Sequence, residues 1–338
     1  MDPVSQGAIG AVFAQSIQRR EQLAAAAWLG VAAGMAPDLD VFIQSSTDPL
    51  LFLEYHRHFT HALIFIPFGA AIVATALFPW AKRFLTFKQA YLACFLGYAS
   101  HGLLDACTSY GTQLFWPFSD QRVTWNNIAV VDPAFTLPLL ACAIISYRRR
   151  ARLWAWAGIA WAVFYLSLGV VQLQRATGTA EALIAQRGHH SASRLTMKPS
   201  FANLLLWKSI YEYQGVYYVD AVRVGTARTV CEGEQLPKLA IDTHLPGLVP
   251  DSQQAIDLER FRWFSQDYLA STGKPGQVTD VRYSMLPNST APMWGITIDP
   301  DRDNAAHVDW YSTRNVDSAA RAELWRLLRG QGCRSLSN

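Results

Sequence analysis

The stretch His101–Gly111, HGLLDACTSYG, contains two side chains whose types and spacing are suited to chemistry. His101 and Asp105 are four residues apart, so they share one face if the stretch is helical. The sequence before them is apolar from about Ala90, and polar side chains in such segments are usually paired, metal-bound or functional. The structural alternative is a satisfied core histidine beside an aspartate at a helix end. The pair marks a candidate site that needs ligands from elsewhere in the chain.

Two clusters upstream can supply such ligands. Asp38 and Asp40 follow Pro37, and a turn there would bring both carboxylates to one centre, whereas an extended chain would point them apart. The segment HRHFTH at 56–61 holds three of the chain's 8 histidines. The alternatives are acidic residues that start a loop and a basic patch beside a membrane. The local density of histidine favours a ligand cluster.

Aspartate and histidine without cysteine favour a borderline or hard divalent ion, with zinc first and manganese or iron as alternatives. Six ligands exceed the four that one zinc takes, so the full set would serve two neighbouring ions. A single ion held by part of the set is the alternative. A bound metal would acidify water so that it attacks a substrate near neutral pH. The predicted metal ligands are Asp38, Asp40, His56, His61, His101 and Asp105, with His58 and Asp132 in reserve.

Four of the nearby side chains are candidates for catalysis. Asp40 or Asp105 would act as a general base that takes a proton from water. Arg57 or Arg122 would hold a phosphate group or stabilise an anionic transition state. For both arginines, contact with a lipid headgroup or a structural role is an equal alternative.

The elements that must position these residues are predicted to be membrane helices. The chain of 338 residues is 51% hydrophobic and only 16% charged, against a usual charged share of about 25%. The first two apolar segments have about a dozen residues, short of the ~20 that span a bilayer, so they are short, re-entrant or packed inside a bundle. The predicted segments are Gly7–Gln18, Leu23–Met35, Ala62–Trp80, Ala90–Leu104, Val130–Tyr147 and Leu153–Val171.

Charge around these segments predicts their orientation. Basic residues at 19–20, 82–88 and 148–152 fall in the first, third and fifth connections, which the positive-inside rule places in the cytoplasm. The connections 38–60 and 105–129, and everything after Val171, then lie on the other side. The predicted site residues of these two connections share that face, and His101 lies about one helix turn inside it. Asp2 without a basic region after it predicts no cleavable signal peptide, and a net charge of +3 does not favour nucleic acid.

The composition becomes polar after about Gln174, which predicts a membrane domain at 1–173 and a soluble α+β domain at 174–338 on the extracytoplasmic side. Cys231 and Cys333 are the two cysteines of this second half, and an oxidising compartment would allow a disulfide between them; two unpaired thiols are the alternative. The pattern predicts a hairpin over Trp207–Val224, helices over Ala255–Leu269 and Ala319–Arg329, and strands over Val278–Leu286, Met293–Ile298 and Val308–Ser312.

A series of motifs in fixed order resembles a bacterial family of inner-membrane metal-dependent hydrolases. The motifs are MDPVSQGAIGA at the start, PDLD at 37–40, HRHFTH at 56–61, HGLLDACTSYGTQLFWPF at 101–118, VVDPAF at 130–135 and LLLWKSIYEYQGVYYV at 204–219. The resemblance covers roughly residues 1–215 and implies a metal hydrolase in the cytoplasmic membrane. The family pattern falls on Asp38, Asp40, His56, Arg57, Thr60, His61, His101, Asp105, Thr108, Gly111, Pro117, Asp132 and Pro133.

This chain departs from the family pattern at one position. The family usually has His where this chain has Gln6, and glutamine is a poor ligand for zinc. Either that position is dispensable, or one metal is weak or absent here.

Three functions are compatible with these patterns. The first is a membrane-embedded metal hydrolase acting on a lipid or lipid-linked substrate at an ester, phosphoester or amide bond, with phosphoester favoured by the arginines. The second is a metal or proton transporter, which is disfavoured because Ala62–Trp80 and Leu153–Val171 carry no charged residue. The third is a scaffold that binds a partner and uses the clusters only for folding. The sequence leaves the oligomeric state open.

Overall fold

The computed structural model of this chain describes residues 1–313 and 317–335. The chain divides into two units. The first comprises Met1–Ile43, Tyr55–Val171 and Phe201–Asn203, and is helical. The second comprises Gln44–Glu54, Gln172–Ser200 and the described residues from Leu204 onward, and contains antiparallel sheets. A helical N-terminal half followed by a mixed C-terminal half agrees with the coarse fold predicted from the sequence.

All six predicted apolar segments form helices. The helices of this part of the chain are α1 Pro3–Ser16, α2 Leu23–Met35, α3 Leu51–Tyr55, α4 Ile66–Ala81, α5 Phe87–Ala106, α6 Pro133–Arg149 and α7 Leu153–Gln186. Asp2, Thr86 and Asp132 cap the starts of α1, α5 and α6 by accepting backbone N–H bonds. Two stretches, Leu63–Ala81 and Leu153–Gln186, are long and apolar enough to cross a membrane. Among the described residues, the other apolar helices fall short of this combination of length and hydropathy.

Helix α7 is longer than the predicted segment, which ended at Val171. It has 34 residues, and its part from Gln172 onward belongs to the second unit. The extension is rich in alanine and glutamine, which favour helix, and its polar residues break the membrane pattern. Hydropathy alone therefore ended the predicted helix too early.

Small residues let the helices that carry the site approach closely. A Cβ atom on Gly10 would lie 2.3 Å from the carbonyl oxygen of Gly30, and one on Gly97 would lie 2.7 Å from the same oxygen. Only glycine permits backbones this close. The crossing brings α1, α2 and α5 together, and buried alanines of α1, α2, α4 and α5 fill the space around it. This packing brings together the start of α1, the end of α2 and the end of α5.

The second unit contains two antiparallel sheets. One has the order β1-β2-β3-β4-β10 with β5 paired to β3, and the other has the order β6-β7-β8-β9. The strands are β1 Ser193–Pro199, β2 Leu206–Tyr213, β3 Val216–Val224, β4 Arg228–Cys231, β5 Gln235–Pro237, β6 Leu269–Ser271, β7 Gln277–Asp280, β8 Trp294–Thr297, β9 Asp309–Ser312 and β10 Arg334–Ser335. The helices of this unit after α7 are α8 Ile241–His244, α9 Gln253–Phe264 and α10 Ser318–Leu328.

The predicted hairpin is confirmed as β2 and β3. Its turn residues Gln214 and Gly215 both have positive φ, of 50° and 73°, as a two-residue hairpin turn requires. The disulfide is confirmed as well, since Cys231 at the end of β4 is bonded to Cys333 just before β10. The two cysteines are 102 positions apart, so the bond closes a long loop.

Several predicted boundaries in this unit are wrong. The helix predicted over Ala255–Leu269 ends at Phe264, and Leu269 starts β6 instead. The strand predicted over Val278–Leu286 ends at Asp280 because its carboxylate accepts the backbone N–H of Arg282 and turns the chain. Strand β1 was not predicted because its polar and basic residues suit an edge strand rather than a core one.

The segment Gln44–Glu54 was predicted inside the first domain but belongs to the second unit. Arg260 of α9 donates to both carboxylate oxygens of Asp48, at 3.0 and 2.7 Å. Phe52 packs edge-on against Trp310, with ring centroids 5.2 Å apart. In sequence, this segment lies between the PDLD and HRHFTH motifs. The periodicity of its residues could not show that it belongs to the second unit.

Candidate metal centre

Three segments of the first unit carry the predicted ligands to one place. A 3-10 turn, Ala36–Phe42, continues α2 and bears Asp38 and Asp40. A second 3-10 turn, Phe59–His61, ends the HRHFTH motif. The last turns of α5 bear His101 and Asp105 on one face, as their spacing predicted.

Four ligand atoms from these segments converge. Nε2 of His61 lies 2.9 Å from Nε2 of His101, 3.3 Å from Oδ2 of Asp105 and 3.5 Å from Oδ1 of Asp38. Nε2 of His101 lies 3.4 Å from the same Asp38 oxygen and 3.6 Å from the same Asp105 oxygen. Zinc bonds of about 2.0–2.2 Å place neighbouring atoms of a tetrahedral site about 3.3–3.6 Å apart. The spacing and the mixed nitrogen and oxygen donors fit a divalent ion.

A second group shares one residue with the first. Asp38, Asp40 and His56 each place a ligand atom within 4.8 Å of the other two. Asp38 belongs to both groups, which is the position of a bridging carboxylate in a two-metal site. The side chains of Asp38 and His56 are 26% and 25% exposed, while those of His61, His101 and Asp105 are fully buried. The centre therefore opens to solvent on the side of the second group.

Asp40 acts mainly on the other ligands. Its Oδ1 lies 2.8 Å from Nδ1 of His56, and its Oδ2 accepts hydrogen bonds from the Arg57 backbone at 2.9 Å and the Thr60 hydroxyl at 2.8 Å. The same Oδ2 lies 3.2 Å from Nδ1 of His61. A carboxylate on the far nitrogen of a histidine orients the ring and fixes its tautomer. Asp40 thereby turns Nε2 of His61 toward the other three ligand atoms.

The other two buried ligands are also held from behind. Nδ1 of His101 donates to the carbonyl oxygen of Gly34 at 2.6 Å, which leaves Nε2 for the centre. Gln6 donates to Oδ1 of Asp105 at 2.9 Å, and the amino group of Met1 contacts the same atom. Gln6 therefore supports a ligand at this position instead of serving as one.

Arg57 lies against Asp105 and is held in one orientation. Its Nε is 2.9 Å from Oδ2 of Asp105, although within the described residues that oxygen accepts no hydrogen bond. Its Nη1 donates to the Thr108 hydroxyl at 2.9 Å, and its φ of 67° is a strained backbone conformation for arginine. Such strain persists only where surrounding contacts impose it. Arg57 is thus placed to compensate the charge of Asp105.

Arg122 also lies against the ring of Tyr110. The Arg57 and Arg122 guanidinium carbons are 4.9 and 5.3 Å from the centroid of the Tyr110 ring. Arg122 also donates from Nη2 to the carbonyl oxygens of Tyr110 and Gly111. These contacts brace the loop after α5, and the catalytic roles predicted for both arginines stay predictions.

The charges of the cluster attract a cation. Burial disfavours the charged form of His61, yet its contacts with Asp105, Asp38 and Asp40 raise its pKa to about 10. Burial likewise opposes ionisation of Asp38, but its contacts with His101 and His61 hold its pKa well below its usual value. Burial also opposes ionisation of Asp40, but its contacts with His56 and His61 lower its pKa. The negative charge of the surrounding carboxylates thus favours a cation at the position that the His61 proton occupies.

The two reserve ligands lie elsewhere in the first unit. The ring of His58 packs against Trp116, with centroids 5.3 Å apart. Asp132 caps α6 and accepts a hydrogen bond from the Tyr165 hydroxyl at 2.9 Å.

A third acidic and histidine group occurs in the second unit. Its members are Asp48, Asp257 and His307. Arg260 already donates to both aspartates, and His307 bonds to Asp257 at 2.8 Å. The contacts of this group are those of a satisfied ion-pair network.

Sequence reasoning missed three contributors to the centre. Tyr110 contacts both arginines, Gly34 orients His101 through a backbone carbonyl, and Gln6, which the sequence marked only as a departure from the family pattern, holds Asp105. Tyr110 lies inside the HGLLDACTSYG stretch, where its neighbours could have drawn attention to it. Gly34 acts through its backbone carbonyl, which every residue type has, so the sequence could not reveal this contact.

One comparison with known proteins covers the part of the chain that carries the centre. The model of a family described as "YdjM inner membrane protein" matches residues 1–176, which contain every residue of the centre. A Bacillus subtilis (strain 168) protein described as "Uncharacterized protein YfhP" is 28% identical over 117 residues, 35% of this chain and 35% of that protein. The match thus spans about a third of that relative's length. No solved structure matches the chain significantly.

Proposed function

Because this chain belongs to the YdjM inner membrane protein family, we propose that it is a helical integral membrane protein that works as a metal-dependent hydrolase. Its substrate in this proposal is a lipid or lipid-linked molecule with an ester or phosphoester bond. The observation that carries the proposal is the convergence of four ligand atoms, four of whose separations, at 3.3–3.6 Å, are those of a tetrahedral zinc site. Manganese or iron are alternatives to zinc.

The residues have distinct tasks in this proposal. Asp38, His61, His101 and Asp105 hold one divalent ion, and Asp38 with Asp40 and His56 holds a second where two are bound. A divalent ion in such a site supplies a Lewis acid and lowers the pKa of water. With one ion, the half-buried His56 and its partner Asp40 are left to accept a proton at the open side. Arg57 and Arg122 are the candidates for stabilising a developing anion.

Two independent observations support an extracytoplasmic C-terminal unit. The Cys231–Cys333 disulfide is a bond that persists in oxidising compartments and is rare in the cytoplasm. The basic connections at 19–20, 82–88 and 148–152 favour the opposite side for the cytoplasm. Both support the extracytoplasmic side of the membrane for the second unit, and the basic connections support the same side for the metal centre.

A structural polar cluster in a scaffold protein is the second candidate. Asp105 already has Gln6, the Met1 amino group and Arg57 around it, so the protein itself compensates much of its charge. In that case alanine at the cluster costs folding and changes no activity. A metal hydrolase loses metal and activity while the fold survives.

One experiment separates the two candidates. The full chain is purified from membranes in detergent, its metal content is measured by mass spectrometry, and hydrolysis of a panel of phospholipids and neutral ester lipids is followed. We expect at least one equivalent of transition metal in wild type and loss of metal and hydrolysis in His101→Ala. The control His190→Ala changes an exposed histidine of the second unit. Metal-free wild type after zinc loading, or unchanged hydrolysis in His101→Ala, overturns the proposal.

A further inference from the structure

Two buried lysines of the second unit lie side by side on neighbouring strands. Lys198 of β1 and Lys208 of β2 are direct partners in the antiparallel register, and they are only 7% and 4% exposed. Lysine is almost never buried so fully without a charged partner. The hydrogen bonds of both ammonium groups nevertheless go to neutral oxygens rather than to carboxylates. Such a placement is costly for a charged group, so it favours the neutral amine.

The surroundings of Lys208 make it a base near neutral pH. Burial lowers the pKa of Lys208 to about 7, although the charges of Asp280 and Glu234 act to raise it. Burial and the charge of Arg282 hold the pKa of the neighbouring Lys198 well below its usual value. A large share of Lys208 is therefore unprotonated at neutral pH and is able to accept a proton.

The amine of Lys208 faces the hydroxyl of Ser284. Its Nζ lies 2.6 Å from Oγ of Ser284 and 2.9 Å from the carbonyl oxygen of Ser289. Oγ of Ser284 also donates to the carbonyl oxygen of Leu286 at 2.6 Å. A hydroxyl has one proton and rotates, so it is able to donate to Nζ instead once Lys208 is neutral. A serine within hydrogen-bond reach of a neutral lysine is an activated nucleophile.

Backbone donors follow this serine directly. Within the described residues, the N–H groups of Ser284, Met285 and Leu286 donate no hydrogen bond to the protein. Backbone N–H groups beside a nucleophile are the donors from which oxyanion holes are built. The segment 284–286 therefore offers a nucleophile together with free donors for a developing negative charge.

A cavity of about 420 Å³ adjoins the pair. Leu286 and Ser289 line it, and their carbonyl oxygens are the ones that Ser284 and Lys208 contact. The volume is within the range of small-molecule pockets, about 300–1,000 Å³. Its apolar lining suits a short acyl group and comprises Met285, Leu286, Ala291, Pro292, Tyr311 and Ala320.

We propose that Ser284 and Lys208 form a second catalytic centre, a serine–lysine pair that hydrolyses a carboxylic ester with a short acyl group. Oγ of Ser284 bonds to the carbonyl carbon while its proton passes to Nζ of Lys208. The bond from this carbon to the alcohol oxygen then breaks, and the alcohol leaves with that proton. Water, which gives a proton to Lys208, next attacks the acyl-serine. The acid is released, and Ser284 regains its proton from Lys208.

The test uses the full chain in detergent with excess EDTA, which removes metal from the first unit. A fluorophosphonate probe is added, the labelled residue is mapped by mass spectrometry, and hydrolysis of p-nitrophenyl butyrate is followed in parallel. We expect labelling of Ser284 at about one probe per chain. Ser284→Ala should abolish labelling and lower hydrolysis at least tenfold. The control Ser191→Ala, at an exposed serine of the same unit, should behave like wild type.

The role of Lys208 is tested through pH as well as by substitution. The rate of labelling in wild type should rise about tenfold between about pH 6 and 8, as Lys208 loses its proton. Lys208→Met should label at least tenfold more slowly, with its folding checked by thermal unfolding. A lysine that only holds the loop through Ser284 and Ser289 would give a flat pH profile. A flat profile, equal rates in wild type and folded Lys208→Met, or no labelling of Ser284 overturns the proposal.

The outcomes keep this centre apart from the proposed metal hydrolase. Labelling of Ser284 should be the same in His101→Ala as in wild type. Labelling that resists EDTA, in a protein that binds no metal, would leave the serine centre and reject the metal hydrolase. Metal-dependent lipid hydrolysis without labelling of Ser284 would leave the metal hydrolase and reject the serine centre.

Discussion

Replacing His101 with alanine removes one of the four convergent ligand atoms and leaves the other three in place. Four-ligand structural zinc sites contribute about 10–16 kcal/mol of apparent binding free energy, so an equal share for one ligand is about 2.5–4 kcal/mol. At about 1.4 kcal/mol per factor of ten, zinc should bind roughly 10²–10³-fold more weakly. The estimate applies because Nε2 of His101 lies within 2.9–3.6 Å of the other ligand atoms.

Two further variants separate ligands from residues that orient them. Asp40→Asn keeps the volume of the side chain but loses the carboxylate behind His61, so zinc affinity should fall by about 10–100-fold. His56→Ala should leave the tight site intact and lower the stoichiometry only if two ions bind. Affinity is measured by competition with a zinc indicator, and stoichiometry by elemental analysis of the purified chain.

The reasoning is refuted by either of two results. Zinc affinity within threefold of wild type in His101→Ala would mean that the four convergent atoms are not the metal site. An equal loss in Asp40→Asn and His101→Ala would make Asp40 a direct ligand of the ion held by His61 and His101. His190→Ala, at an exposed position, controls for the number of histidines.

Three further predictions concern the fold. The double variant Cys231→Ser, Cys333→Ser should lower the free energy of unfolding by about 5 kcal/mol for a loop of 102 residues, or Tm by about 10–20 °C. The control Cys142→Ser, at a free cysteine, should leave Tm unchanged, and equal melting curves for the two variants would contradict the prediction. Burial lowers the pKa of Lys208 from 10.5 to about 7, so between these values only the unfolded chain binds the proton. The free energy of unfolding should therefore fall as pH falls through this window, by up to about 5 kcal/mol for 3.5 pH units. In denaturation experiments on Lys208→Met, the free energy of unfolding should depend less steeply on pH. Asp132→Ala should cost about 1 kcal/mol as a lost helix cap, measured by thermal unfolding, with zinc affinity unchanged; weaker zinc binding would show that Asp132 belongs to the centre.

The candidate centre could be predicted because its ligands lie in short motifs of rare residue types. Histidine and aspartate in apolar sequence are costly, so their presence points to pairing or metal even before the segments are placed in space. The spacing of His101 and Asp105 required only a helix, and α5 provides it. Nothing in the sequence required the turn at Asp38 to meet α5, and the close glycine contacts of α1, α2 and α5 bring that about.

Other parts of the structure left no signal of this kind. Asp40 and Asp38 are the same residue type two positions apart, but one faces the convergent atoms and the other supports histidines from behind. Residue type does not distinguish these tasks, because they depend on the direction of the side chain. The assignment of Gln44–Glu54 to the second unit depends on ion pairs with Arg260, which is more than two hundred positions away. Local patterns carry no information about such partners.

The charge of the centre connects the number of metal ions to the kind of substrate. Three carboxylates, from Asp38, Asp40 and Asp105, face one guanidinium, from Arg57, so two negative charges remain if the histidines are neutral. One divalent ion would cancel them, and two would leave two positive charges in a largely buried site, where uncompensated charge is costly.

A site with two ions should therefore prefer an anionic phosphoester, which supplies the missing negative charge, and a site with one ion should prefer a neutral ester. The measurement is metal stoichiometry set beside the ratio of kcat/KM for a phosphodiester lipid and a neutral diacyl lipid of equal chain length. His56→Ala should shift that ratio toward the neutral lipid if wild type binds two ions, because the second group loses a ligand. A two-ion protein that hydrolyses only the neutral lipid would show that charge compensation at this centre does not select the substrate.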